Sequence, residues 1–359
     1  MALDDIRIGI VGAGANTRAK HIPGFRALDG VRIDAVRNRS RASSEAVARE
    51  FAIPRVADSW PELVADPEID AVLIGTWPYL HGPATLAALA AGKHVLCEAR
   101  MAMNLAEARA MQAAALSRPA LVAQVVPSPV TLGVDATVIR LLSDGYLGGL
   151  VAAEVVVRSG DFPDPSAPLH WREDEDRSGL NVMGLGIFYE ALMRWIGPAE
   201  TVTAMGGRAA PRRVDPETGR PRFPAIPDHL DVLARMRCGA HARFHFSTVH
   251  GLAPEKSITL FGTEGTLRFA DGQLWGGQKG ATGLSPIPIP PEEADSWRVE
   301  ADFVAAIRGE APVRLTTFAD GVRYMAFTEA VHLSRTRGAA VPVETVESAG
   351  SAPAGGGRP

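Results

Sequence analysis

The sequence predicts an α/β protein in two parts: an N-terminal parallel sheet covered by helices, then an α+β domain with an open, mainly antiparallel sheet. Three observations lead there. In the first third, short β-branched runs alternate with longer alanine-rich segments, the pattern of buried parallel strands joined by crossover helices. After Gln124 the texture changes, with Pro127, Pro129 and Gly133 close together. Beyond that point the strands lengthen and alternate apolar with polar residues, as a sheet with one solvated or partner-facing side does. A chain of 359 residues exceeds what one core usually organises, and 46% hydrophobic content is enough for two.

Strands are predicted at 6–11, 31–36, 70–75, 93–97 and 120–124, each a short buried-looking run. Helices fill the gaps. The segment 83–91 stops at Gly92, a natural residue after a helix end, and Asn104 with Glu107 resembles a capping box opening a helix through Leu116. Further on, Leu230, Val232, Ala234, Met236, Ala242, Phe244 and Phe246 recur at period two over 229–237 and 240–249, giving two adjacent strands. Helical periodicity returns at 181–195, 297–307 and 318–335. The expected division is 1–124, 125–347 and a tail, 348–359, whose Gly, Ala, Pro and Ser content is too polar and small to order itself.

With 37 basic and 41 acidic residues the net charge is −4, so the broad positive footprint needed for nucleic acid or an anionic membrane is missing. A small molecule is the expected partner. Cys97 and Cys238 are too few for a disulfide framework and suit a reducing compartment. Asp4, Asp5 and Arg7 interrupt the N-terminus before any signal-like apolar run, and no membrane-spanning stretch occurs. A cytoplasmic location is expected.

The segment Ile8 to Gly14 is a strand running into a glycine turn, followed by a helix from about Asn16. Gly12 allows the tight turn, and Gly14 lets backbone approach a pyrophosphate held at the helix N-terminus. This is the setting of a Rossmann dinucleotide-binding domain, although Thr17 replaces the third glycine and an ordinary tight turn reads the same way. The second strand ends in Arg37-Asn38-Arg39-Ser40-Arg41, where an NAD-binding fold usually places a ribose-binding carboxylate. Asn38 can still bond a ribose, while Arg37, Arg39 or Arg41 with Ser40 suits a 2′-phosphate, so NADP is favoured and NAD stays open.

Beyond these features the chain resembles the Gfo/Idh/MocA oxidoreductases, the glucose-fructose oxidoreductase, inositol dehydrogenase and rhizopine catabolism group, over nearly its whole length. The residues that carry the resemblance are Gly12-Ala13-Gly14 with His21-Ile22-Pro23, Leu80-His81, and Ala90 to Glu98. Leu260 to Leu267, Phe303 to Arg308 and Gly321 to Gly338 agree with the family's sheet motif and C-terminal helices. The resemblance implies a nicotinamide cofactor, sugar or cyclitol substrates, and a C-terminal open sheet that supports a substrate pocket or a homodimer or homotetramer interface. It places Gly12, Gly14, Asn16, Thr17 and Arg18 near the phosphates and Asn38 and Arg39 at the adenosine ribose. Thr76, Trp77, Tyr79 and His81 fall beside the cofactor, with Glu98 near the nicotinamide.

The family's catalytic pattern is broken in two places. Its Glu-Lys-Pro motif reads Glu98-Ala99-Arg100 here, which exchanges a lysine for an inert methyl group and adds a permanently charged guanidinium. Its helix with Asp and His four residues apart aligns with Gly184 to Phe188, so both titratable groups are absent. The remaining polar candidates are Arg100 and Asn181 for positioning an oxygen, and Tyr189, Glu190 and His170 for proton transfer. Each has a plain alternative: a surface cation for Arg100, a helix N-cap for Asn181, core for Tyr189 and a solvated helix position for Glu190. Two other functions fit the same residues, a nicotinamide-using lyase or glycoside-cleaving enzyme without net redox change, and a non-catalytic cofactor- or sugar-binding regulator. His241, His245 and His250 lie in or beside one strand, but their spacing matches no common zinc pattern and no metal is expected.

Overall fold

The computed structural model describes residues 5–343, so the 348–359 tail lies outside the described residues. Six strands, β1 (Ile6–Val11), β2 (Val31–Arg37), β3 (Arg55–Val56), β4 (Ala71–Ile74), β5 (His94–Cys97) and β6 (Ala123–Val125), form a parallel sheet in the order β3-β2-β1-β4-β5-β6. The strands are apolar runs because helices cover both faces, and Ile6, Ile8, Ile10, Val72, Leu73 and Val95 are fully buried. Strand order reverses between β1 and β4, which opens a crevice beyond their C-terminal ends. After β1 the chain makes one wide turn, Thr17–His21, before the short helix Ile22–Arg26 with Pro23 in its first turn. Asn104 caps the helix Leu105–Leu116 by accepting from the Glu107 amide at 2.9 Å. Glu107 bonds the Met103 amide at 2.6 Å, one residue short of a closed capping box.

The second sheet is built from β7 (Leu150–Arg158), β8 (Ala199–Gly207), β11 (His229–Met236), β12 (His241–Ser247), β13 (Glu255–Gly262), β14 (Gly265–Ala270), β15 (Gln273–Gln278), β16 (Ser285–Pro286) and β17 (Val341–Pro342), with β9 (Arg213–Val214) and β10 (Pro221–Arg222) forming a separate hairpin. Its order is β16-β15-β14-β13-β7-β12-β11-β8-β17, and within it β7 and β12 alone run parallel. One face packs against the helices Leu185–Ile196 and Phe318–Arg337, where Phe188 meets Phe246 and Tyr189 stacks on Phe327 with centroids 3.7 Å apart. The opposite face is open and carries Met205, Leu233 and Phe261 exposed.

Sequence periodicity places a helix at 181–195, but it begins at Leu185. Met183 takes a positive φ of 42°, which no right-handed helix contains, so residues 181–184 form a turn instead. The helix Phe318–Arg337 also packs against Leu105–Leu116, and one apolar cluster runs from β4 and β5 through it to β7 and β12. Among the described residues, no helix is long and apolar enough to cross a membrane.

Candidate active site

A groove of about 510 Å³ lies at the crevice between β1 and β4, lined by Gly12, Gly14, Asn38, Arg39, Thr76, Trp77 and Tyr79 among others. Gly12 has φ of 90°, and a Cβ there would sit 2.5 Å from Thr76 Cγ2, so only glycine allows the turn. A Cβ on Gly14 would meet nothing nearer than Gly75 O at 3.7 Å. The space above Gly14 is therefore free for a ligand, and a pyrophosphate fits that cradle.

The rim of this groove is held by bonds the sequence did not reveal. Asn38 Oδ1 accepts from the Ala13 amide at 2.6 Å and its Nδ2 donates to Ser43 Oγ at 2.9 Å, so Asn38 fastens the glycine loop to the end of β2. Arg39 pairs with Glu217, which the loop between β9 and β10 carries across from the second sheet, and Arg177 reaches the same carboxylate at 3.3 Å. Trp77 stacks on Trp171, with Arg177 over Trp77 and Arg172 over Trp171 at 4.1 Å.

Several residues expected at the cofactor sit elsewhere. Arg18 pairs with Glu50 on the surface, and Ser40 caps the helix Arg41–Glu50 through the Ser43 amide. Arg37, by contrast, lines the groove and donates to Ala57 O, whereas Arg41 pairs with Glu45 and Asp58. Thr17 is buried and donates to Gly12 O, bracing the turn. His81 is fully buried between Thr76 O and Arg100 O, where it joins the groove wall to the Arg100 segment. Exposed Asn16 and half-buried Glu98 are tied into a network centred on the buried His21. The His21 ring contacts Glu300 at 2.5 Å and Glu98 at 3.0 Å, Asn16 donates to Glu98, and Trp297 donates to Glu300. Burial alone would lower the His21 pKa, but the hydrogen bonds its ring donates to the Glu300 and Glu98 carboxylates outweigh it and raise it to about 9.

A second cleft of about 800 Å³ adjoins the helix Leu185–Ile196 and the ends of β7 and β12, lined by Arg100, His170, Arg172, Gly184, Ile187 and Phe246 with others. Arg100 is 3% exposed, its Nε has no hydrogen-bond partner, and among the described residues no carboxylate pairs with it. Burial, with a smaller push from Arg172, lowers its pKa to about 10, which still leaves it charged at neutral pH. Its stem fits over Gly186, where a Cβ would lie 2.8 Å from Arg100 Cδ. The surface-cation alternative for Arg100 is thus replaced by a buried charge at a cavity wall.

Three of the other candidates are not brought into this cleft. Asn181 is fully buried, but Gly184 caps the helix; the Asn181 amide instead ties Ala102 O at 2.9 Å to Ser178 O at 2.6 Å. Tyr189 lies two residues past the cleft-lining Ile187, on the far side of the helix, and its hydroxyl accepts from the Ala199 amide at 2.9 Å. Glu190 is buried rather than solvated. It accepts from Thr316, Ser128 and Arg194, and burial raises its pKa despite Arg194. His170 lines the cleft, but its Nδ1 accepts from the Arg172 amide at 3.2 Å, so the neutral ring presents Nε2–H and acts as a donor. Arg172 and Trp171 are the cleft and rim residues that motif reading passed over.

The histidine grouping also differs from expectation. His229, across the β11–β12 ladder, joins His245 and His250, whereas His241 stands apart four residues along the strand.

Family and structural comparisons agree with this architecture. Residues 6–125 match the model of the oxidoreductase family with an NAD-binding Rossmann fold, and residues 136–268 match the Gfo/Idh/MocA C-terminal domain. A 1,5-anhydro-D-fructose reductase of Ensifer adhaerens is 29% identical, covering 94% of this chain and 99% of that one. A trans-1,2-dihydrobenzene-1,2-diol dehydrogenase of Oryctolagus cuniculus is 30% identical over 64% of this chain and 65% of its own length. In fold, a levoglucosan dehydrogenase solved with NADH and L-sorbose superposes with a TM-score of 0.84 at 21% identity, covering 96% and 100% of the two chains. With both halves matched and the dinucleotide crevice in place, the chain belongs to the Gfo/Idh/MocA family of NAD(P)-dependent oxidoreductases.

Proposed function

We propose that the chain moves a hydride between a nicotinamide dinucleotide and a carbinol or carbonyl carbon of a sugar- or cyclitol-like substrate, with Arg100 holding the reacting oxygen. The observation that carries this is the Arg100 guanidinium, buried at the cleft wall with no counter-ion. In this reading the parallel-sheet unit takes the nucleotide and the mixed-sheet unit supplies the substrate cleft.

When bound, the nicotinamide supplies the two-electron acceptor or donor. Arg100 cannot take a proton at neutral pH, so its part is electrostatic: it favours an oxygen that gains negative charge as its proton leaves before oxidation, or as hydride reaches the carbonyl carbon in reduction. His170 adds a second donor from the same cleft. The hydroxyl proton passes to water, since His170, the histidine that lines the cleft, already spends its Nδ1 on the Arg172 amide. Arg39 is the cation placed for a 2′-phosphate, and Glu217 competes for it; both NADH and NADPH are accommodated, the latter at the expense of the Arg39–Glu217 pair. The open face with Met205, Leu233 and Phe261 supports a homo-oligomer through the mixed sheet, checked by light scattering.

The test is a titration with NADH and NADPH followed by nicotinamide fluorescence, then a screen of sugars and cyclitols for turnover. Nucleotide binding with turnover abolished in Arg100→Met supports the reading. Binding of neither nucleotide would move a regulator to first place, and turnover untouched by Arg100→Met would remove Arg100 from the chemistry.

A further inference from the structure

We propose that His229, His245 and His250 form a three-imidazole site for a zinc(II)-class ion, on the face of the mixed sheet opposite its helices. None of the three lines the nucleotide groove or the substrate cleft.

The sheet register builds the site. In the antiparallel β11–β12 pair, Asp231 stands opposite His245 and His229 opposite Ser247, so all four share one face. Phe244 and Phe246 point the other way, against Tyr189 and Phe188. His250 follows β12 in the next loop and completes a triangle of rings, with centroids 4.8 Å from His229 and 5.1 Å from His245, and 5.4 Å between His229 and His245. One ligand nitrogen from each lies within 4.8 Å of the others.

Hydrogen bonding decides which nitrogens are free. Asp231 Oδ1 lies 2.8 Å from His245 Nδ1, and Oδ2 lies 3.2 Å from His229 Nε2. His245 therefore commits Nδ1–H to the carboxylate, which leaves its Nε2 as a lone pair, and His229 Nε2 lies at ion-pair distance from the same carboxylate. His229 Nδ1 is buried and has no hydrogen-bond partner. His245 Nε2 is 3.3 Å from His250 Nδ1. Two nitrogens bound to one tetrahedral zinc ion at ordinary Zn–N lengths are about 3.3 Å apart, so this pair is already spaced as two ligands. A carboxylate behind two of the imidazoles is the usual outer support of a histidine metal site. The nearby Arg158 is neutralised by Glu255. Three imidazoles leave a fourth position for water or another donor.

The experiment uses the full chain without a histidine tag, stripped with a chelator and titrated with zinc chloride by calorimetry. One equivalent of zinc is expected per chain. His250→Gln and His229→Asn should each weaken binding at least tenfold, and Asp231→Asn by about 10- to 100-fold. His241→Gln, on the same strand but outside the triangle, should leave it unchanged. Thermal melts of each variant confirm folding, and His250→Gln, in a loop, serves if a strand variant fails. Wild-type binding no tighter than that of the His229→Asn/His250→Gln double variant overturns the proposal, as does an equal loss in His241→Gln.

Discussion

Trp77 and Trp171 lie stacked with ring centroids 5.8 Å apart and planes 16° apart. Trp77 follows β4 at the nucleotide groove, and Trp171 precedes the helix that borders the substrate cleft. Trp77 lines the groove, and Trp171 stands in the chain between His170 and Arg172, which line the cleft, so the stack links the two sites; Arg177 packs over Trp77 and Arg172 over Trp171. An aromatic pair of this kind contributes about 0.5–1.5 kcal/mol beyond its buried area. Trp171→Ala should raise the KM for the nucleotide roughly two- to tenfold, measured by initial rates, with a smaller change in kcat.

Glu217 occupies the Arg39 guanidinium at the rim of the nucleotide groove. Both side chains are well exposed, so their pairing is weak and easily exchanged for a phosphate. Glu217→Gln should strengthen NADPH binding relative to NADH by about two- to fivefold, and Arg39→Asp should reverse the preference. Fluorescence titration with each nucleotide reads both.

Arg100→Met should separate stability from activity. A buried cation without a counter-ion costs folding free energy, and methionine fills similar space without the charge. The melting temperature should stay level or rise, while turnover falls by about 100-fold or more, the usual loss for a donor aimed at a developing oxyanion. A drop in both would mean that Arg100 serves the fold.

The pH profile should also lack a histidine base. Burial, aided by Arg172, lowers the His170 pKa, and its Nδ1 already serves the Arg172 amide. The oxidation rate should climb between about pH 6 and pH 9 as falling proton activity favours release of the hydroxyl proton to solvent, without levelling off near neutrality. His170→Asn should lower the rate but leave the slope in place.

The His21 network ties stability to pH. In the folded chain the His21 pKa stands at about 9, above the ordinary 6.5, because Glu300 and Glu98 overcome the opposing effect of burial. Its contribution is therefore complete below pH 6.5 and is lost as pH rises through 9, on the order of 3 kcal/mol at most. Thermal melts between about pH 6 and pH 10 should show this decline, and His21→Gln should flatten it.

Strands and most helices were legible because their signals are local: the β-branched runs of β1 and β4, and the period-two pattern of β11 and β12. The glycine turn was legible for the same reason. Contacts between distant segments were not. Glu217 belongs to no motif, and nothing in the sequence spacing joins it to Arg39, 178 positions away. His229 was overlooked beside His245 because cross-strand neighbours depend on register, whereas the eye follows the strand. Tyr189 and Glu190 are next to the lost histidine position in sequence, but a helix turns about 100° per residue and carries them to other faces.

Gly186 makes room for the Arg100 stem, with a would-be Cβ only 2.8 Å from Arg100 Cδ. The two positions are therefore sterically coupled. A lineage that gained a side chain at 186 would have to surrender or re-aim the arginine, and one that lost the arginine would be left with a hollow beneath its helix. Anyone grafting this cleft onto a relative must transplant the hydrogen at 186 together with the charge at 100.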